Sequence, residues 1–143
     1  MTIQQVSVFA ENRSGGILDV IKALGEGGVD IRALSVADTQ GFGILRLIVD
    51  DVEKAKAILN GNGTIFSITE VVGVKVPDCP GGLARVLTLM ADNTINVEYL
   101  YAFVSVSGSS AYVVLRVQDN DQAMAVLKEG GIELISREEI SAI

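Results

Sequence analysis

Apolar positions fall along this chain in two alternating rhythms. In residues 3–10, IQQVSVFA, the apolar Ile3, Val6, Val8 and Phe9 sit on both faces of a β-branched-rich segment, which predicts a first strand. Ile17, Leu18, Ile21 and Leu24 then recur at helical spacing, with Ser14 ahead of them as the expected N-cap. Gly25, Gly27 and Gly28 end that helix, because glycine accepts the left-handed conformation that closes one. Residues 29–38, with Val29, Ile31, Leu34 and Val36, predict a second strand. Gln40-Gly41 predicts a hairpin turn and 43–49, GILRLIV, a third strand. Asp50-Asp51 suits the first turn of a second helix, whose apolar stripe is Val52, Ala55, Ile58 and Leu59. Asn60-Gly61-Asn62-Gly63 stops it, and 64–69, TIFSIT, predicts a fourth strand. The order is β-α-β-β-α-β.

The second half repeats this order item by item. Arg13-Ser14-Gly15-Gly16-Ile17-Leu18 returns as Cys79-Pro80-Gly81-Gly82-Leu83-Ala84, an offset of 79 − 13 = 66. Val71, Val72, Val74 and Val76 predict the first strand of this copy. Pro80 is placed to start its helix, where a missing N–H costs nothing, and Leu83, Val86, Leu87 and Met90 supply the apolar face. Ile95, Val97 and Leu100 match Val29, Ile31 and Leu34 at the same offset. After the second hairpin Asp51 aligns with Asp119, an offset of 68, so two extra residues fall in Val104–Ser110. There Ser107-Gly108-Ser109-Ser110 predicts a longer turn. No Pro/Ser-rich or charged spacer separates the copies. Their boundary is expected at 69/70, giving units 1–69 and 70–143 held in fixed relative geometry.

Composition narrows the function classes. The 143 residues are 49% hydrophobic, enough for a core, yet each half alone is near the size at which a lone core is marginal. Two sheets packed side by side are therefore expected. The chain has no histidine, which removes the usual general base and the commonest metal ligand. Cys79 is the one cysteine, so an internal disulfide framework or a Cys-based zinc site is excluded. A net charge of −7 without a Lys/Arg cluster argues against nucleic acid or an anionic membrane as partner. The N-terminal residues lack a signal-peptide pattern, and no apolar run approaches the roughly 20 residues of a membrane span. A soluble cytoplasmic protein without cofactor or metal is expected.

A repeated β-α-β-β-α-β unit of about 70 residues is a split βαβ, ferredoxin-like α+β sandwich, with an antiparallel sheet and helices on one face. Within it, Asp78-Cys79-Pro80-Gly81-Gly82-Leu83 followed by Ile95-Asn96-Val97 resembles the ACT domain, and so does Asn12-Arg13-Ser14-Gly15-Gly16-Ile17 followed by Val29-Asp30-Ile31. Copy one departs from the family pattern by carrying Ser14 where proline is usual. The resemblance covers the whole chain as two tandem units with no catalytic domain attached. It implies a non-enzymatic regulatory protein that binds a free amino acid at an interface between two units, paired within the tandem chain or through a homodimer, with an enzyme or regulator as a further partner.

The residues in these motifs suit such a ligand. A helix N-terminus offers unpaired N–H groups and partial positive charge to a carboxylate. Gly15, Gly16, Gly81 and Gly82 let backbone approach it without Cβ obstruction. The carboxylate of Asp30 or the amide oxygen of Asn96 can accept from an ammonium, and Ile17, Leu83, Ile31 and Val97 can wall an apolar side chain. Asn12, Arg13, Ser14, Cys79 and Pro80 complete the two candidate loops. A second reading stands beside this one: the glycine pairs as tight turns with close helix–sheet packing, Asp30 and Asn96 as strand-start residues, Arg13 as a solvated surface group and Cys79 as an ordinary small residue. Tyr99, Tyr101, Phe103 and Tyr112 read as packing or a dimer surface. Acylphosphatase, metal-chaperone and RNA-binding readings of the same architecture lack their loop residues or their charge. The competitor to a sensor is a ligand-free adaptor acting through protein–protein contacts.

Overall fold

The computed structural model describes residues 1–11, 13–39, 42–104 and 110–143. The expected hairpin turn at Gln40-Gly41, the Ser107-Gly108-Ser109 part of the longer turn and the candidate ligand residue Asn12 lie outside them. Two compact units divide the chain. The first is Gln4–Thr69 with Ala142; the second is Glu70–Ser141 with Met1–Ile3 and Ile143.

In the first unit, β1 (Ile3–Glu11), α1 (Gly16–Glu26), β2 (Ile31–Thr39), β3 (Phe42–Val49) and α2 (Val52–Gly61) precede β4 (Phe66–Pro77). β3 pairs antiparallel with both β1 and β2, Val6 lying opposite Leu47 and Leu34 opposite the same Leu47. β2 is the outermost strand. Alternation decides which side chains go inward: Val6, Val8, Leu45, Leu47 and Val49 pack against Val20 and Leu24 of α1 and Ala55 and Leu59 of α2. Burying each such branched side chain contributes roughly 1.5–3 kcal/mol, which holds both helices on one face of the sheet.

The second unit repeats the plan. It uses the Glu70–Pro77 part of β4, then α3 (Gly82–Asp92), β5 (Val97–Ala102), β6 (Ser110–Val117) and α4 (Asn120–Glu129). β6 pairs antiparallel with β4 and β5, and Val72, Val74, Val76 and Leu115 bury against Val86, Met90, Ala123 and Leu127. Both units are ferredoxin-like. The fourth strand of the first and the opening strand of the second are one 12-residue strand, because Ser67–Val76 offers no proline or turn glycine to break it.

The repeat is less complete at its end. Instead of a last strand, the second unit has one isolated bridge, Val74 with Leu134, flanked by Lys75 N–H to Glu133 O (2.9 Å) and Ile135 N–H to Gly73 O (2.8 Å). Ser136 then caps a short helix α5 (Arg137–Ala142) by accepting from the Glu139 N–H at 3.1 Å. Gly73 makes room for this arrangement, since a Cβ there would lie 3.1 Å from Ile3 and 3.2 Å from Ile135.

Helix starts also differ from expectation. Ser14 is not the N-cap of α1, nor does Pro80 begin α3. Those caps are Gly15 (φ 82, ψ −3) and Gly81 (φ 85, ψ −4), and the helices begin one residue later. Gly16 N–H bonds Arg13 O and Gly82 N–H bonds Cys79 O, each at 3.1 Å. With glycine left-handed at the third position, each loop is a type II turn, and Ser14 and Pro80 occupy the second position, which proline favours. Asp51 stands just ahead of α2 as its N-cap, its carboxylate accepting from the Lys54 N–H at 3.1 Å.

Candidate functional site

The two glycines of each pair serve different geometric needs. The first carries positive φ, which a side chain resists. The second lies against the end of the preceding strand: a Cβ on Gly16 would sit 2.3 Å from the Glu11 carbonyl oxygen, and one on Gly82 would sit 2.2 Å from that of Pro77. Turn and close packing thus account for all four glycines.

What packing leaves open is the helix start itself. Of the five helices among the described residues, α2, α4 and α5 have side-chain caps from Asp51, Asp119 and Ser136. Among the described residues, α1 and α3 start at Gly15 and Gly81 with no side-chain cap bond. Beyond the Gly16 and Gly82 N–H groups, which close the turns, the first-turn N–H groups of these two helices have no partner within the helix and carry the partial positive charge of a helix N-terminus.

Strand register places the expected site residues in two groups within each unit. Glu11, which leads into the first turn, lies opposite Phe42, whereas Ile31 lies opposite Val49. Seven residue steps of β3 separate these ends, about 24 Å at roughly 3.4 Å per residue. In the second unit Pro77 lies opposite Ser110 and Val97 opposite Val117, which is the same separation. Within a unit, Gly15, Gly16 and Ile17 are thus not brought to Asp30 and Ile31, nor Gly81, Gly82 and Leu83 to Asn96 and Val97.

The two loops differ in their surroundings. Arg13 donates to Glu11 (3.0 Å), Asp19 (2.9 Å) and the Ser14 carbonyl (3.2 Å). These contacts, Asp19 first, hold the guanidinium pKa above its ordinary value, so Arg13 stays charged. It lines a cavity of about 570 Å³ with Glu11, Gly16, Asp19, Asn62 and Ile65. The counterpart in the second unit, beside Lys75, Pro77, Arg85 and Glu133, encloses about 140 Å³. Cys79 is exposed and unbonded to sulfur, and Ile17 and Leu83 are half-exposed beside the turns.

The strand starts differ in the opposite sense. The Asp30 carboxylate accepts from Arg32 at 2.5 Å, and Asp30 and Asp50 exchange backbone contacts, Asp30 N–H to Asp50 Oδ1 at 2.9 Å and Asp50 N–H to Asp30 O at 3.1 Å. Asp30 is therefore occupied. Asn96 faces a polar cavity of about 820 Å³ shared with Thr94, Glu98, Gln118, Asp119 and Asn120, where the buried Asn120 Oδ1 has no hydrogen-bond partner. Thr94 in its wall has φ 56, the one non-glycine residue among those described with positive φ, and it replaces Gly28 of the first unit. Sequence reasoning missed this cavity, although the acid- and amide-rich run Gln118–Gln122 was visible.

No His/Cys/Asp/Glu group of three or more among the described residues could hold a metal ion, and no helix among them is long and apolar enough to cross a membrane. Tyr99 stacks on Tyr101 and Phe103 meets Tyr112 edge-on; Tyr101 and Phe103 are buried.

A family model described as an ACT domain pair matches residues 1–143. Among solved structures, protein BT0572 from Bacteroides thetaiotaomicron is 35% identical, with a TM-score of 0.92 over 100% of this chain and 98% of that one. The ligand-free regulatory subunit of aspartate kinase from Thermus thermophilus shares the fold at 16% identity, with a TM-score of 0.62 over 89% of this chain and 91% of that one. The corresponding subunit from Thermus flavus does so at 14% identity and a TM-score of 0.59, over 90% and 92%. No match was found among curated proteins.

Proposed function

The chain belongs to the ACT domain pair family, and on that premise we propose that it is a non-catalytic regulatory protein that senses a free amino acid. The observation that carries this reading is the pair of helix starts, α1 and α3, without a side-chain cap bond among the described residues and set beside left-handed glycine turns. Such a start favours a carboxylate by roughly 0.3–1 kcal/mol when exposed and more when partly buried. The ammonium needs an acceptor, and Asn96, open to its cavity, is better placed for it than Asp30, already held by Arg32.

Loop and strand start lie at opposite ends of a unit, so in this proposal a second copy of the chain supplies the other half. Self-association is therefore part of the proposal. The outermost strand β2 supports it by exposing Leu34 and Val36. The name of the aspartate kinase regulatory subunits suggests an output of the same kind, in which ligand binding here alters a partner enzyme.

A thermal-shift screen against the proteinogenic amino acids tests the reading. A ligand at about 100 times its dissociation constant stabilises by about 2.7 kcal/mol, several degrees for a chain of this size. Asn96→Ala is expected to reduce that shift. Twenty amino acids without effect would instead favour an adaptor that works through protein contacts alone.

A further inference from the structure

The chain holds two Asn–Gly pairs, Asn60-Gly61 and Asn62-Gly63, and both fall at the end of α2. Asparagine is thermolabile because its side-chain amide is an electrophile within reach of the next backbone nitrogen. A glycine after it removes the Cβ that would otherwise screen that nitrogen. All four residues are exposed. What differs is how firmly the fold holds each pair.

Asn60 and Gly61 lie inside α2, so the Gly61 N–H bonds back within the helix. Asn62 is the C-cap, and Gly63 takes the left-handed φ of 67 that closes the end. The bonds there are Gly63 N–H to Asn60 O at 3.1 Å and Thr64 N–H to Leu59 O at 3.0 Å. A Cβ on Gly63 would meet nothing within 4 Å, so the turn stands open on that side. The C-cap asparagine of α3 is held differently: Asn93 Nδ2 donates to Leu89 O at 2.8 Å, and Thr94 follows it. Among the described residues, no hydrogen bond restrains the Asn62 side-chain amide. In the second unit the equivalent C-cap is Gly130, which has no side chain to react.

We infer that Asn62 is a site of spontaneous deamidation, a modification that the second unit does not share. Opening of the last helical turn frees the Gly63 N–H. Its nitrogen loses the proton to solvent and attacks Asn62 Cγ. The N–Cγ bond forms, the Cγ–Nδ2 bond breaks, and the amide nitrogen takes a proton from solvent and leaves as ammonia. Water then opens the cyclic imide at either carbonyl, which leaves aspartate or isoaspartate at position 62. The product is one charge more negative than the −7 of the chain, at the negative end of α2 and in the wall of the cavity that Arg13 lines. Reaction at Asn60 must also break the Gly61 bond and that of Asn62 N–H to Ile58 O, 3.1 Å. Two further hydrogen bonds of ordinary net strength slow it by about tenfold or more.

Incubation of the full chain in neutral buffer tests this, with intact mass followed over time and peptide mapping to assign the position. In denaturant both pairs are equally free and are expected to convert at similar rates. In the folded chain, conversion at 62 is expected to exceed that at 60 by about tenfold or more. Isoaspartate formed there is expected to accept a methyl group from a protein isoaspartyl methyltransferase. Asn62→Gly, which installs the residue of the second unit, is expected to remove most of the mass gain. Equal or faster conversion at 60 in the folded chain overturns the assignment, and so does a mass gain unchanged in Asn62→Gly. A folded chain that keeps both amides while the denatured one loses them overturns it as well.

Discussion

The turn before α1 and the turn before α3 are the same backbone solved twice with different side chains around it. Their glycines take φ values of 82 and 85, and their closing bonds are both 3.1 Å. Around them, Arg13-Ser14 becomes Cys79-Pro80, Glu11 becomes Pro77 and Asp19 becomes Arg85. Parts that set chain direction were kept, and parts that set the charge of the adjoining groove were exchanged. The same division appears at the strand starts, where Asp30 is held by Arg32 and Asn96 faces a cavity. Two units of one fold therefore present unequal surfaces at these positions, with the roomier loop on one and the open strand start on the other.

Substitution of the second glycine of each pair tests the shared part and carries the largest expected effect. Gly16→Ala and Gly82→Ala each drive a Cβ into a backbone carbonyl, at 2.3 and 2.2 Å, where no flexible side chain can give way. Each is expected to cost about 2–3 kcal/mol and to lower the melting temperature by several degrees. Gly25→Ala, in α1 with nothing within 4 Å, is the control and should stabilise by roughly 0.5–1 kcal/mol. Comparable losses at 16 and 82 would uphold the equivalence of the two turns; a loss at only one would break it. For the same reason a larger residue at Gly82 reports on folding and not on ligand affinity.

A smaller effect separates the units just beyond α1 and α3. Thr94 holds the left-handed conformation that Gly28 supplies in the other copy, at a cost of roughly 1 kcal/mol for a residue with a Cβ. Thr94→Gly is expected to raise stability in denaturant titration by about that amount, less the extra freedom glycine brings to the unfolded chain. Gly28→Thr should lower it similarly, since a Cβ there meets only Lys54 Nζ at 3.7 Å. If Thr94→Gly destabilises, Thr94 makes an interaction in its cavity that outweighs the strain.

The smallest effect belongs to the second unit alone. Lys75 bonds Glu133 (3.2 Å) and Glu139 (3.3 Å), and these partners, Glu133 first, raise its pKa above the ordinary value. A raised folded value means the contribution is fully present below the unfolded lysine pKa, near 10.4, and is lost as pH climbs through the folded one. Melting temperature followed from about pH 9 to about pH 12 should fall less steeply for Lys75→Met than for wild type. Parallel curves would assign no alkaline sensitivity to this node. Phe9 occupies the corresponding place in the first unit, so no matching effect is expected there.

Much of this organisation was legible in the chain. Alternation in IQQVSVFA and three-to-four spacing in Ile17, Leu18, Ile21 and Leu24 report local geometry, and the duplication supports every element but the last by its partner. Gly28, Gly63 and Gly131 mark helix ends because each takes a positive φ there. Ser136-Arg137-Glu138-Glu139 carries the helix-start signal of α5, in a segment where the repeat alone predicts a strand. Ser14 misled for a related reason. A good capping residue was present, but the turn it belongs to places Gly15 at the cap.

By itself, then, the sequence determined two ferredoxin-like units, their order of elements up to α4 and the glycine stops of their helices, because each rests on contacts between near neighbours or on the permitted φ of one residue. Only the tertiary structure decided which of the two similar loops stays open. Arg85 and Gly130 are 45 positions apart, and nothing local says that the guanidinium of one crosses to the carbonyl of the other. Likewise Gly16 and Gly82 could be read as ligand cradles until the strand carbonyls behind them were seen to leave no room for a side chain. Long-range contacts depend on how helices seat on the sheet, and that seating follows from the summed burial of the whole core.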